Sequence, residues 1–286
     1  MISIGEFRLH LINDSSIKVD PGGAFGLVPR VLWSPLMPPD ENHLVPMIHN
    51  CLLVQVDGKN IVVDVGNGEK MTEKQKAFIY YERPNGGLLD GLARLGVAPE
   101  DVDLVINTHL HGDHCGGNTY YDAEGRIVPT FPNAEHVVQR REYEDAMHPN
   151  ERTRATYFPM NYQPLVESGQ MRLLDGDTEL MSGIRCVVTP GHTPAHMSVL
   201  FESGGQKAMF VCDLASYAIH FERLGWMTGY DVEPLVTLET KRRWQKWALE
   251  TGALLIFCHD PQRPAGRYVM GADGKPFVER VDEPFA

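Results

Sequence analysis

His109-Leu110-His111-Gly112-Asp113-His114 gathers three imidazoles and a carboxylate into one short stretch directly after the apolar run Leu104-Val105-Ile106. Each is a ligand type for first-row metals. The run reads as a buried strand, and side chains alternate along an extended backbone. His109 and His111 therefore leave its end on one side and can grip one ion. Asp113 and His114 fall where the chain turns before Gly116-Gly117 and can reach a second ion beside the first. Nitrogen and oxygen donors without thiolate suit Zn²⁺ foremost, with Mn, Fe or Co as alternatives, and fewer than four protein ligands per ion leave a position for water. The pattern points to a hydrolytic centre built on two divalent metal ions.

Three more apolar runs each end on a ligand-type residue. Ile184 to Val188 leads to Thr189-Pro190-Gly191-His192-Thr193-Pro194, Ala208 to Val211 leads through Cys212 to Asp213, and Leu254 to Phe257 leads through Cys258 to His259-Asp260. A lone histidine at a strand end is usually a packed or surface residue. Three such ends in succession, after the first cluster, read instead as a sheet edge collecting ligands.

With these residues in view, the chain resembles a metallo-β-lactamase-superfamily hydrolase. The likeness runs from Asn50-Cys51-Leu52-Leu53-Val54 and Ile61-Val62-Val63-Asp64-Val65-Gly66, through Thr108 to Gly117 and Pro190 to His196, to Asp213 and His259-Asp260. It implies that His109, His111 and His192 hold the first metal, that Asp113, His114 and His259 hold the second, and that Asp213 bridges them. It also implies an α/β fold, the four-layer αβ/βα sandwich of that superfamily. The full ligand set is similar to the binuclear lactonase and organophosphate-hydrolase branches more than to true β-lactamases. Two departures stand out. Ala195 replaces the glycine usual between Pro194 and His196, and Ser216 occupies the place where acyl-homoserine lactonases commonly carry a substrate-contacting tyrosine, with Tyr217 one position later.

A water held between two such ions loses its proton near neutral pH, and Asp113, a ligand with one oxygen to spare, can carry a proton to the leaving oxygen. Thr108, Thr193 and His196 are candidates to orient the ligand imidazoles. The leading expectation is a lactone or related ester as substrate, acyl-homoserine lactones of quorum sensing foremost. The alternative is an organophosphate hydrolase like methyl parathion hydrolase. A thioester hydrolase lacks the basic residues expected for glutathione. A di-iron redox member is disfavoured by His111 and by the absence of an extra domain, and a non-enzymatic scaffold by the complete ligand set.

The 286 residues, 43% hydrophobic and 22% charged, suffice for one large core, and we expect a single domain over 1–286. A formal charge of −12 argues against nucleic acid or an anionic membrane as partner. Neither an N-terminal signal segment nor a membrane-length apolar run is visible, so a cytoplasmic location is expected. The five cysteines, Cys51, Cys115, Cys186, Cys212 and Cys258, read as buried reduced thiols. Strand alternation turns Cys212 and Cys258 away from the face of Asp213 and His259, so none is assigned to metal.

Phe7 to Ile12 alternates like a first strand, and Asn50–Val56 with Asn60–Val65 forms a hairpin around Asp57-Gly58. Leu88–Leu95 reads as a helix stopped by Gly96, and Glu233–Thr251 as the longest amphipathic helix, with Leu235, Leu238, Trp244, Trp247 and Leu249 on its apolar face and Gly252 at its end. Two long aromatic segments, Asp20–Met47 and Asp145–Glu167, are the length of lids or of surfaces covered by a second copy, giving a possible homodimer. They put Phe25, Trp33, Tyr157 and Phe158, together with Tyr217, forward as a substrate pocket for a small molecule with an apolar portion.

Overall fold

The computed structural model describes residues 1–281. Its first sheet contains β1 (Ile2–Ile4), β2 (Phe7–Val19), β3 (Val45–Val56), β4 (Lys59–Val63) and β5 (Leu104–Ile106). Beyond the separate hairpin β6 (Thr119–Tyr121) and β7 (Ile127–Pro129), it is completed by β8 (Glu135–Gln139) and β9 (Met171–Leu174). The second sheet contains β10 (Thr178–Met181), β11 (Ile184–Val188), β12 (Met197–Ser203), β13 (Gln206–Phe210), β14 (Leu254–Ile256), β15 (Ala265–Met270) and β16 (Pro276–Arg280). Strand order is β1-β2-β3-β4-β5-β8-β9 in the first and β10 to β16 in sequence in the second. The expected hairpin is present. Asp57 and Gly58 take φ of 49° and 73°, a two-residue turn whose twist suits its strands, so Val56 pairs with Lys59.

Alternation along the strands builds the layers. Ile61 and Val63, Ala208 and Phe210, and Leu254 and Ile256 share one core with Phe7, Leu9, Leu52 and Phe201, between the sheets. The intervening residues face outward. Met209, Val211, Leu255 and Phe257 pack with Trp244 and Ala248 of the helix Pro234–Thr251, while Ile12, Leu53, Val62 and Val105 pack with Leu88 and Leu92 of the helix Leu88–Arg94. Helix, sheet, sheet, helix is the four-layer αβ/βα sandwich.

The long helix keeps only part of the face its large apolar residues suggest, with Trp244 buried and Trp247 packed against the same core. Its buried residues are Thr237, Lys241, Trp244 and Ala248, whereas Leu235 and Leu249 are exposed. Lys241 is tolerated inside because its ammonium donates to the carbonyls of His220, Arg223 and Trp226. Gly252 closes the helix in the left-handed conformation, its N–H bonding Ala248 O.

The sheet topology sets where chemistry can occur. Each sheet is antiparallel at first and then turns parallel, β4 with β5 and β13 with β14. Parallel neighbours finish at the same edge, and β5 continues parallel into β8. Asp64, Thr108 and His109 thus follow their strands to one rim, and Asp213 and His259 follow theirs. This is the strand-end placement at which open α/β sheets gather ligands. No helix among the described residues is long and apolar enough to cross a membrane.

Candidate metal centre

The seven ligand-type side chains converge at this rim. The His109 and His111 rings are 4.6 Å apart, and His192 Nε2 lies 3.1 Å from His111 Nδ1. Asp113 and His114 project from the short helix Gly112–Cys115, where His114 Nε2 stands 3.1 Å from His259 Nε2 and 3.4 Å from Asp113 Oδ2. Asp213 lies between the two groups. Its Oδ2 is 3.2 Å from His192 Nε2 and 3.7 Å from His109 Nε2, and its Oδ1 is 3.1 Å from His259 Nε2. His192 is brought in by Gly191, whose φ of 140° and contact with the helix leave no room for a Cβ: it would stand 2.2 Å from Thr237 Oγ1.

The outward ring nitrogens fix which atoms face inward. His114 Nδ1 donates to Asp64 Oδ2 at 2.9 Å, His192 Nδ1 to Asp231 Oδ1 at 3.0 Å, and His259 Nδ1 to Ile48 O at 2.8 Å. An acceptor on Nδ1 leaves the Nε2 lone pair pointing into the cluster. Lone pairs 3.1 Å apart repel unless positive charge sits between them, and buried His109 Nε2 has no hydrogen-bond partner. Two carboxylates in the same enclosure also need cations. Burial pushes Asp213 up, but the surrounding His259, His192 and His114 outweigh it, and the carboxyl stays well below its usual range. Burial drives His109 well below its ordinary value and His111 to about 3, with neighbouring imidazoles adding to both, so each offers a neutral donor. The donor set fits divalent ions: His109, His111 and His192 around one position, Asp113, His114 and His259 around another, Asp213 common to both.

The supporting contacts correct parts of the sequence reading. Thr108 lies beside a candidate ligand imidazole, its hydroxyl donating to Asp64 Oδ2 at 2.8 Å and standing 3.1 Å from His109 Nδ1. Thr193 touches no ligand imidazole. It donates to Glu142 Oε2 at 2.6 Å, and Glu142 also accepts from Leu110 N–H and Tyr157 O–H. His196 supports a ligand's backbone, its Nε2 accepting from Asp213 N–H at 3.1 Å. Ala195 is buried and takes no left-handed φ, so its methyl is accommodated. Cys212 and Cys258 are not turned away from the site but form its floor. Cys212 Sγ is 3.0 Å from Thr108 Oγ1 and 3.6 Å from His114 Nδ1, and Cys258 Sγ is 3.6 Å from Asp213 Oδ1. Both cysteines continue the inward set of Phe210 and Ile256, and Asp213 joins Cys212 at the site because Cys212 takes φ of 51° in a short 3₁₀ turn, Cys212–Leu214.

Sequence reasoning passed over Asp64, Glu142, Asp231 and His49. His49 is buried with Nε2 3.3 Å from Asp113 Oδ2. Its Nδ1 accepts from the Asn67 amide at 3.2 Å, so Nε2 carries the proton and steadies Asp113. A histidine inside the apolar strand β3 was the one available signal.

A cleft of about 250 Å³ opens above the cluster, lined by His111, Asp113, His192, Asp213 and His259, with Met47, Arg152, Ser216 and Tyr230 on its walls. The aromatic expectations divide. Phe25, Trp33 and Tyr217 line no part of it. They stack on one another in a satellite core with Met47, rings 5.1 and 5.9 Å from Phe25, and Tyr217 donates to Pro46 O. Tyr157 backs His111 at 5.0 Å between ring centroids. Phe158 lines a neighbouring, largely apolar groove of about 1070 Å³ with Ile79, Met71, Phe78 and Met160, which meets the cleft at Ile17, Asp113 and Thr156.

Residues 44–242 match the family described as the Metallo-beta-lactamase superfamily. An N-acyl homoserine lactonase of Bacillus sp is 29% identical over 233 residues, which cover 76% of this chain and 82% of that protein. A probable metal-dependent hydrolase from Staphylococcus aureus superposes with a TM-score of 0.87 at 29% identity, over 98% of this chain and 99% of that one. AidC, a dizinc quorum-quenching lactonase solved with its product N-hexanoyl-L-homoserine, shares the fold with a TM-score of 0.76 at 23% identity, over 99% and 97% of the two chains.

Proposed function

From the premise that the chain belongs to the metallo-beta-lactamase superfamily and is a metal-dependent hydrolase, we propose that it holds two divalent ions, Zn²⁺ foremost, and opens a lactone bearing an apolar acyl portion. The observation that carries this reading is a single carboxylate, Asp213, lying between His109 and His192 on one side and His114 and His259 on the other, on the floor of a cleft. When bound, the ions supply an activated water and a Lewis acid for a carbonyl oxygen.

The chain's own residues do the rest. His109, His111 and His192 hold one ion, Asp113, His114 and His259 the other, and Asp213 both. Asp64 and Asp231 keep His114 and His192 in the tautomer that binds. Asp113 differs from Asp213 in access, with 31% of its side chain exposed against 6%. It is therefore the carboxylate that can hand a proton to the departing oxygen. Burial opposes its ionisation, but His114 and His49 beside it outweigh that and hold it well below the usual carboxylate range. The groove lined by Ile79, Phe78 and Phe158 begins beside Asp113 and supports an apolar chain lying away from the reacting carbonyl.

The test is a hydrolysis screen of the zinc-loaded protein against N-acyl homoserine lactones of graded acyl length, aryl esters, organophosphates and thioesters. We expect lactones to be opened with a kcat/KM that rises with acyl length. None of the relatives and structures reported above names an organophosphate substrate, and faster turnover of organophosphates or thioesters than of any lactone overturns the reading.

A further inference from the structure

Four hydroxyl-bearing side chains line the cleft, and three are committed within the protein. Ser216 donates to Asp213 Oδ1, Thr156 to Thr153 O, and Thr153 to Asn150 Oδ1. Tyr230 has no hydrogen-bond partner among the described residues. It is 42% exposed, yet the segment carrying it is pinned on every side. Gly229 N–H donates to Gly23 O at 2.8 Å, Val232 N–H to His192 O at 3.2 Å, and Thr228 O–H to Asp231 Oδ1 at 2.7 Å. Arg152 donates to both Gly229 O and Asp231 O. Asp231, the next residue, is the one that holds the ligand His192. The backbone carrying the phenol is thus fixed with respect to the metal cluster rather than part of a loose loop.

Gly23, which lies against the phenol, restricts it further. Its φ lies outside the left-handed region, so the backbone does not require glycine there. A Cβ at Gly23 would stand 2.0 Å from Tyr230 Oη and 2.5 Å from Cζ. The absent methyl is what leaves the phenol its place.

We propose that Tyr230 is a substrate-contacting residue of this hydrolase, its phenol O–H donating a hydrogen bond to an oxygen of the ester or lactone in the cleft. The proposal rests on the metal-dependent ester-opening reading above. The carboxylates around the cluster only accept hydrogen bonds when ionised, so a fixed hydroxyl on the wall supplies what they cannot. Burial raises the phenol pKa, with Asp113, Asp20 and Asp213 adding to it, so the group keeps its proton at working pH.

The experiment compares zinc-loaded wild type and Tyr230→Phe on N-hexanoyl homoserine lactone, γ-butyrolactone and 4-nitrophenyl acetate. Zinc content and Tm should be unchanged, since the lost hydroxyl has no protein partner. We expect kcat/KM to fall ~10- to 100-fold. A loss in kcat on all three substrates places the hydrogen bond on the reacting carbonyl, and a loss confined to KM for the N-hexanoyl compound places it on the side-chain amide. Gly23→Ala, which displaces the phenol but keeps it, should lose a similar factor, and the double variant should lose little more than either single one. Rates for Tyr230→Phe within about twofold of wild type on every substrate, at equal zinc, overturn the proposal. Should wild type open neither lactone, the lactone reading fails by itself and 4-nitrophenyl acetate still decides the role of Tyr230.

Discussion

Replacing Asp231 with asparagine should weaken one metal position and spare the other. Asp231 is buried, accepts from His192 Nδ1 at 3.0 Å and from Thr228 O–H at 2.7 Å, and reaches no other ligand. Asparagine keeps the shape and one acceptor oxygen but loses the charge that polarises the imidazole. Outer carboxylates of this kind are worth ~10- to 100-fold in metal affinity, about 1.4–2.7 kcal/mol. His114, by contrast, is held by Asp64 at 2.9 Å, which the substitution does not touch. The assay is a competition titration of Zn²⁺ against a chromophoric chelator, resolved into two stepwise constants. The weaker constant of Asp231→Asn should fall by the stated factor and the other should hold within about threefold. Two unchanged constants, or an equal fall in both, would refute the assignment of His192 and Asp231 to one position.

Asp113→Asn should retain zinc while losing turnover, and the loss should shrink for esters with acidic leaving groups, because an amide cannot donate and recover a proton; a kcat/KM ratio flat across leaving groups would reduce Asp113 to a ligand. Cys212→Ser and Cys258→Ser should each keep full metal content by elemental analysis, since burial pushes both thiols well above their ordinary pKa and the cluster is complete without them; zinc loss at unchanged fold would make them ligands. His136 is buried with both ring nitrogens unpartnered, and burial holds it at about 3 against 6.5 when exposed. Its neutral form alone is accommodated, so its contribution to stability is complete above pH 6.5 and is lost as pH falls from there toward 3, at up to about 1.4 kcal/mol per unit. His136→Met should flatten the acid side of the stability curve by that slope in urea unfolding, and identical slopes would remove the effect.

The convergence of these side chains was legible because metal chemistry restricts residue type and the strand ends restrict place. His109 to His114, His192, Asp213 and His259 each follow an apolar run that pairs as a strand. The hairpin was legible because Asp57-Gly58 suits a turn needing positive φ at both positions. Asp64, Asp231 and Glu142 were not, being three among 38 acidic residues whose meaning lies in what the folded chain brings against them. Aromatic content misled in the same way. Phe25 and Trp33 are large apolar bodies, and size alone does not say whether such a body fills a core or faces a cleft. The long helix repeats the lesson at Lys241, which is interior only because three carbonyls from another segment meet its ammonium.

The seven ligand-type side chains are drawn from both halves of the sandwich. His109, His111, Asp113 and His114 follow β5 in the first sheet, and His192, Asp213 and His259 follow strands of the second. On the proposed assignment neither half owns a complete set for either position, so metal uptake would report on assembly. A chain in which one half has formed and the other has not can hold no ion tightly, and ions that bind only the joined form act as a latch across the seam. Chelation should therefore loosen the junction before it melts either sheet, and the latch can shut only once His259, beyond β14, has joined the other candidate ligands.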